Sequence, residues 1–327
     1  MKDKVRIGYI GCGRRGRRVL QYNLRHMCDI EIVAICDLVD ENLENVRNDL
    51  LEVGRPAPVM TKDYFEIINN PDIDAVFVMT GWNNRAAVAA KALYAGKYAG
   101  IEVGCAFSLD EVEELHEAYE KTKTPLMMLE NCCYGRREMM ALNIAEQGLF
   151  GEIVHCDGGY HHYLNEVELF YEEEKNNLGF AFPMKDGKTE HYRIKSYIDR
   201  NCEQYPTHEL GPISKILGIN RGNRMLTLSS FASKSRGLRR YAQKHLGSDS
   251  YYANIDYKQG DIVTTIITCA NGETIRLCLD TTVPRAYYSR NFTVRGTDGM
   301  YTEERRVLYF EGMEEETENN EKEMFEK

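Results

Sequence analysis

Apolar and polar positions along this chain follow two different rhythms, and the change between them divides it. Up to Gly135, short apolar runs of strand length alternate with stretches of helical spacing. Strands are predicted at Val5–Ile10, Ile30–Ile35, Ala75–Met79, Tyr98–Val103 and Pro125–Leu129. Between them fall helices at Arg17–Arg25, Glu41–Leu51, Arg85–Tyr94 and Leu109–Lys121, with Gly54, Pro56 and Gly96 as stops. This βαβ order predicts a parallel sheet with helices on both faces.

Beyond Gly135 a helix is predicted over Arg137–Gln147, and then the strands lengthen and alternate with period two. They cover Ile153–Tyr163, Met225–Phe231, Ile262–Ala270, Thr274–Asp280 and Asn291–Arg295. Asn271-Gly272 carries the signature of a two-residue hairpin loop. The polar segment Asn165–Glu190 reads as a long loop, and the acidic run Glu314–Lys327 as a frayed end. Two domains follow, 1–135 and 136–327. The second is expected to be α+β, with an open, mainly antiparallel sheet.

The first turn sharpens the picture. Gly11-Cys12-Gly13-Arg14-Arg15-Gly16 is G-x-G-x-x-G placed between a strand and a helix. Gly11 permits the turn, Gly13 allows a pyrophosphate close to the backbone, and Gly16 lets helix and strand approach. The helix N-terminus then presents free N–H groups to an anion. The fold class is therefore α/β, an N-terminal Rossmann domain followed by the α+β domain. Asp37 ends the second strand, where a carboxylate accepts from ribose hydroxyls and repels a 2′-phosphate, favouring NAD over NADP. Thr80-Gly81-Trp82-Asn83-Asn84-Arg85 follows another strand. Trp82 either stacks on the cofactor or packs between loops. Glu102 and Asn131 end two further strands on the same edge, as ribose or nicotinamide ligands or as loop hydrogen-bonding residues. Tyr205-Pro206-Thr207-His208 precedes an apolar helical stretch. Thr207 is placed as its cap and His208 in its first turn, as a candidate acid/base.

Composition narrows the function. The net charge is −10, which disfavours nucleic acid and anionic membranes as partners. No apolar run reaches spanning length, and the chain enters its first strand without room for a secretory leader, so the cytoplasm is expected. The ten cysteines include no C-x-x-C pair and no Cys/His grouping with zinc spacing. No metal is predicted, and buried free thiols are expected.

The glycine turn, Asp37, Gly96-Lys97 and the strand ending at Glu102 resemble the glucose–fructose oxidoreductase and inositol dehydrogenase superfamily. A closer resemblance is to its NAD-dependent glycosidase branch, glycoside hydrolase family 109, typified by α-N-acetylgalactosaminidases. It is carried by Met128–Gly135, Gln147–Glu152, Gly158-Gly159-Tyr160, Asn220-Arg221-Gly222 and above all Tyr205-Pro206-Thr207-His208-Glu209-Leu210-Gly211-Pro212. The resemblance implies NAD contacts at Arg15, Gly16, Asp37, Trp82, Asn83, Asn84, Arg85, Glu102, Val103 and Asn131. It implies sugar contacts at Tyr160, Arg193, Tyr205, Pro206, Thr207, His208 and Tyr287. It also implies transient oxidation at sugar C3, loss of the C2 proton, departure of the C1 aglycone and addition of water. His208 is then the acid/base at the C3 hydroxyl. Tyr160 serves at C2, its phenol acidified by Arg193 or the cofactor charge. Simple dehydrogenases of the superfamily carry Glu-Lys-Pro where this chain has Glu102-Val103-Gly104, so the lysine that assists hydride transfer is replaced by valine. Arg85 and Gly104 stand where the branch usually has histidine and proline. A sugar or polyol dehydrogenase and a non-catalytic NAD-binding regulator are the alternatives. By analogy, the open sheet pairs with a second copy to form a homo-oligomer.

Overall fold

The computed structural model describes residues 4–164 and 192–313, so the readings of Asn165–Glu190 and Glu314–Lys327 lie outside the described residues. The chain forms two compact units that divide after Leu129, a few residues before the boundary expected from periodicity.

In the first unit the elements run β1 (Val5–Ile10), α1 (Arg14–Tyr22), β2 (Ile30–Cys36), α2 (Asp40–Glu52), β3 (Val59–Thr61) and α3 (Tyr64–Ile68). Next come β4 (Ala75–Val78), α4 (Arg85–Tyr94), β5 (Tyr98–Ile101), α5 (Leu109–Thr122) and β6 (Leu126–Met128). The six strands lie in the order β3-β2-β1-β4-β5-β6, with every pairing parallel. Sequence order reverses between β1 and β4, the switch point where ligands bind beyond the strand ends. Two apolar clusters form the core. One centres on Tyr9, Leu20, Ile35 and Leu50, and the other on Val76, Val78, Leu93 and the small side chains of α4. Ala86, Ala89, Ala90 and Ala92 are all buried, so α4 packs closely.

Helix α1 begins at Arg14 rather than Arg17. Gly13 is its cap and Gly16 lies inside its first turn, so the glycine motif is itself partly helical. The apolar period alone misses this, because a first turn needs no apolar face.

The second unit contains α6 (Arg136–Glu146), β7 (Ile153–His161), α7 (Tyr192–Asp199), α8 (Thr207–Ile216), β8 (Met225–Ala232), α9 (Gly237–Leu246) and α10 (Tyr251–Asn254). It finishes with β9 (Ile262–Cys269), β10 (Thr274–Asp280), β11 (Thr293–Gly296), β12 (Gly299–Thr302) and β13 (Val307–Phe310). Its sheet runs β13-β12-β11-β7-β10-β9-β8. All pairings are antiparallel except β7 with β10. Ile275, Leu277 and Leu279 alternate inward along β10. Helix α8 lies on β7, and Gly158 makes the contact possible: a Cβ there would stand 2.4 Å from the Cβ of Glu209.

Two expected details shift for local reasons. The β9–β10 hairpin forms, but Cys269 N–H donates to Glu273 O (2.8 Å) and Gly272, at φ 101°, donates to Cys269 O (3.1 Å). Ala270, Asn271 and Gly272 therefore make a loop one residue longer than the dipeptide suggests. Strand β11 starts at Thr293, because Asn291 adopts the left-handed φ of 50° and breaks the extended run.

Candidate functional site

Because every strand of the first sheet is parallel, Gly11, Asp37, Thr80 and Glu102 all emerge at its carboxyl edge. Gly11 has φ 100°, and a Cβ on it would meet the backbone of Met79 at 2.7 Å. A Cβ on Gly16 would stand 2.1 Å from Gly11 O, whereas one on Gly13 would meet nothing within 4 Å. The turn is thus packed from behind at Gly11 and Gly16 and open in front at Gly13. Helix α1 has no side-chain cap and no acidic residue in its first turn. This cradle fits a dinucleotide pyrophosphate.

Asp37 is held beside the turn, with Oδ2 accepting from Cys12 N–H (2.8 Å) and Oδ1 from Val39 N–H (2.9 Å) and Asn42 Nδ2 (3.1 Å). Buried Glu102 accepts from Arg15 through two bonds, at 3.0 and 3.3 Å, and from Val103 N–H at 3.1 Å. Trp82 is buried and stacks on Phe107 with centroids 4.6 Å apart. Gly104 permits that stack, since a Cβ at φ 76° would crowd both rings at 3.0 Å. Asn83 and Asn84 remain exposed on the same turn.

Arg85, expected to touch NAD, is buried and braces the edge from within. Its guanidinium donates to Thr80 O, Glu102 O and Val103 O. A side chain five residues past a strand end reads from sequence as a ligand. Four convergent carbonyls, with Gly104 O the fourth, turn it into a tie between two loops.

The second unit brings a different set together. His208 sits in the first turn of α8, and its Nδ1 lies 2.7 Å from Glu130 Oε1. The His208 side chain is 12% exposed and that of Glu130 4%. Burial works to raise the Glu130 carboxyl. The His208 hydrogen bond and charge, with the Cys132 N–H at 2.9 Å, overcome it and hold the group below its ordinary value. An ionised Glu130 accepts from His208 Nδ1 and leaves Nε2 outside the pair. Pro206, not Thr207, occupies the helix cap. Its φ of −75° presets the turn, and Thr207 is the first helical residue.

Tyr160, near the end of β7, packs its ring 4.5 Å from Tyr205 and 5.7 Å from His208. The Arg193 guanidinium stands 5.1 Å over the Tyr205 ring. Tyr160, Arg193, Tyr205 and His208 thus lie together in the second unit. Without the cofactor, burial pushes the Tyr160 phenol up, and the charge and hydrogen bond of Arg193 partly offset this. The Tyr160 hydroxyl is instead paired with His162 Nδ1 at 3.0 Å. Burial, with the Arg193 and His208 charges, lowers His162 to about 4, so it is neutral at ordinary pH.

Tyr287 lies elsewhere, its hydroxyl donating to Glu304 (3.0 Å) and its ring beneath Arg285. Its neighbour Tyr288 reaches the cluster, 6.1 Å from Tyr160 and 5.2 Å from His162. Sequence reasoning missed Glu130, His162 and Tyr288. Period two along β7 pairs Tyr160 with His162 and offered a signal for the second. Nothing local pointed to Glu130, which is 78 residues from His208.

Among the described residues no helix is long and apolar enough to cross a membrane. All ten cysteines are free, though Cys28 and Cys202 are exposed rather than buried as expected.

Comparison with known proteins places both halves. Residues 5–130 match an oxidoreductase family with an NAD-binding Rossmann fold, and residues 134–327 match the C-terminal domain of glycosyl hydrolase 109. The chain is 37% identical over 319 residues to a glycosyl hydrolase family 109 protein of Stenotrophomonas maltophilia (strain K279a), covering 94% of this chain and 70% of that protein. It is 34% identical over 323 residues to the α-N-acetylgalactosaminidase of Tannerella forsythia, covering 94% and 67%. Among solved structures, myo-inositol dehydrogenase from Lactobacillus casei, in complex with NAD(H) and myo-inositol, superposes with a TM-score of 0.64. The identity is 16%, over 95% of this chain and 76% of that one, a likeness of fold. A Rossmann sheet with an open glycine turn, a mixed second sheet carrying the Y-P-T-H helix, and these matches over almost all of its length agree: the chain belongs to glycosyl hydrolase family 109.

Proposed function

We propose that this protein is an NAD-dependent glycosidase that cleaves α-N-acetylgalactosaminides through transient oxidation of the sugar at C3. The observation that carries the reading is the buried Glu130–His208 pair set among Tyr160, Tyr205 and Arg193, an acid/base histidine beside stacking surfaces for a sugar. The names of its relatives support the substrate class.

Gly11, Gly13 and Gly16 hold the pyrophosphate, Asp37 the adenosine ribose, Glu102, Val103 and Asn131 the nicotinamide half. Bound NAD supplies a reversible two-electron acceptor, so that oxidation and later reduction of the sugar cancel. His208 takes the C3 hydroxyl proton at Nε2, while Glu130 holds the imidazole in the right tautomer and balances its charge. A carbonyl at C3 makes the C2 proton acidic. Tyr160 takes that proton on its hydroxyl oxygen while passing its own proton to His162 Nδ1, to which it is hydrogen-bonded, so no standing phenolate is needed. Arg193, Tyr205 and Tyr288 contact the sugar, and Val103 in place of lysine separates this chemistry from simple dehydrogenation.

The working form is a homo-oligomer in the cytoplasm. Edge strand β8 supports pairing with a second copy, for Leu226, Leu228 and Phe231 are exposed along it. The free thiols agree with a reducing compartment.

The test is incubation of purified protein with a panel of nitrophenyl glycosides in D₂O. Nitrophenol release with deuterium at C2 and no net reduced nicotinamide is expected. Stoichiometric growth of reduced nicotinamide would make the protein a dehydrogenase, and binding of NAD without turnover of any sugar would make it a regulator.

A further inference from the structure

We propose that Glu130, Cys132 and His208 form a site for a divalent cation of the zinc class, and that its occupancy switches the enzyme off. The inhibitory half rests on the function proposed above. The binding half does not.

The three residues each offer one donor atom, and these atoms all lie within 4.8 Å of one another. A thiolate, an imidazole and a carboxylate make a donor set for zinc or cobalt rather than magnesium or calcium, which prefer oxygen alone. Zinc binds such donors at about 2.0–2.3 Å, so the three atoms need shifts only of the size that side-chain rotation supplies.

A second observation points to the same place. Glu130 is 4% exposed, and its Oε2 has no hydrogen-bond partner within 3.5 Å among the described residues, although the Thr207 side chain also helps keep the carboxyl ionised. A buried carboxylate oxygen without a partner is a position where a positive group would be welcome.

The frame is short and rigid. Glu130 caps the 3₁₀ turn Asn131–Tyr134 by accepting from Cys132 N–H, which fixes carboxylate and thiol on one turn of chain. Helix α8 brings the imidazole to them, and a Cβ on its Gly211 would press against Cys133 Sγ (2.9 Å) and Glu130 Cγ (3.2 Å). The expectation of no metal came from spacing within the sequence, and this trio is assembled by the fold.

The balance of binding is simple. The cation forms bonds to Sγ, to His208 Nδ1 and to a carboxylate oxygen; the Cys132 thiol loses its proton to solvent, and the imidazole proton moves from Nδ1 to Nε2, so the ring stays neutral. A doubly charged cation with one thiolate, one carboxylate and one neutral imidazole has no net charge, which suits a buried position. The fourth tetrahedral position remains for water. With the metal in place of the Nδ1 proton, the imidazole no longer accepts a proton from a sugar hydroxyl, and turnover stops.

The experiment uses the full chain loaded with NAD and exposed to zinc chloride or cobalt chloride alone. Cobalt is expected to give a thiolate charge-transfer band in the near ultraviolet, and elemental analysis after gel filtration one zinc per chain. Both are expected to vanish in Cys132→Ser and His208→Gln and to persist in Cys133→Ser. Two variants from separate elements guard against loss of fold in one of them. Zinc is also expected to lower glycosidase turnover more than tenfold, reversibly on chelation. Binding that is unchanged in both variants, or well below one per chain, overturns the site. Zinc bound without any glycosidase activity sinks the proposed function and leaves the site standing. Activity without zinc binding does the reverse.

Discussion

Glu130 and His208 meet through one hydrogen bond, Oε1 to Nδ1 at 2.7 Å, at the point where the second unit begins and where helix α8 starts. The carboxylate fixes which imidazole nitrogen carries the proton, so its loss should disturb chemistry more than binding. Glu130→Gln is expected to lower kcat by about 10²-fold or more while KM changes little, with NAD affinity unchanged. Glu130→Asp should recover part of the loss. Steady-state kinetics on a nitrophenyl glycoside, beside an NAD titration, decide it. An equal loss in KM alone would reduce Glu130 to a structural acid.

Tyr160 offers a sharper separation of steps. Tyr160→Phe removes one hydroxyl, paired with His162 at 3.0 Å, at a stability cost of about 1 kcal/mol. Exchange of the C2 proton with D₂O is expected to fall by about 10²-fold, together with aglycone release. Retained exchange would assign the C2 proton to another group.

The glycine turn allows a paired test. Gly16→Ala forces a Cβ to 2.1 Å from Gly11 O, and a loss of about 1–3 kcal/mol in stability is expected from such overpacking. Gly13→Ala meets no neighbour within 4 Å, so melting should hardly change while NAD affinity drops. Calorimetry and cofactor titration on both variants check the contrast. Equal effects would mean that the open front of the turn is not where the pyrophosphate lies.

Burial pushes the Glu203 carboxyl from 4.5 to about 7, with the Tyr205 N–H pulling the other way. A folded value above the unfolded one means that the group favours folding fully below its unfolded value. That contribution is lost as pH rises through about 7. At about 1.4 kcal/mol per pKa unit, the loss reaches at most about 3 kcal/mol. Glu203→Gln should therefore flatten the fall in melting temperature between about pH 5 and pH 8. An unchanged slope would show that the carboxyl is solvated. Glu130 has the opposite sign, its depressed value favouring folding above the ordinary carboxylate range and less so as pH falls.

Much of the fold was legible because its signals are local. The βαβ rhythm, the flanked glycine turn and the strand-end acids Asp37 and Glu102 each depend on neighbours within a few residues. Period-two alternation likewise gave the second sheet, and Tyr-Pro-Thr-His the helix bearing His208. What escaped depends on distant chain. The Glu130–His208 bond spans 78 residues, the bracing role of Arg85 needs carbonyls from two loops, and burial around Tyr160 comes from side chains scattered over the second unit. Tyr287 and Tyr288 show the limit: adjacent and identical in type, they differ only in which way the backbone turns each one.

The single parallel pairing in the second sheet sets the order of assembly. Strands β7 and β10 lie side by side, yet among the described residues the chain between His161 and Thr274 must first travel through four helices and two further strands before that seam can close. Closing so long a loop is slow compared with forming local turns. Tyr160 lies on one margin of the seam and His208 within the excursion, so the proposed sugar site needs that seam closed, whereas the Rossmann sheet does not. During refolding, cofactor affinity should return well ahead of catalysis.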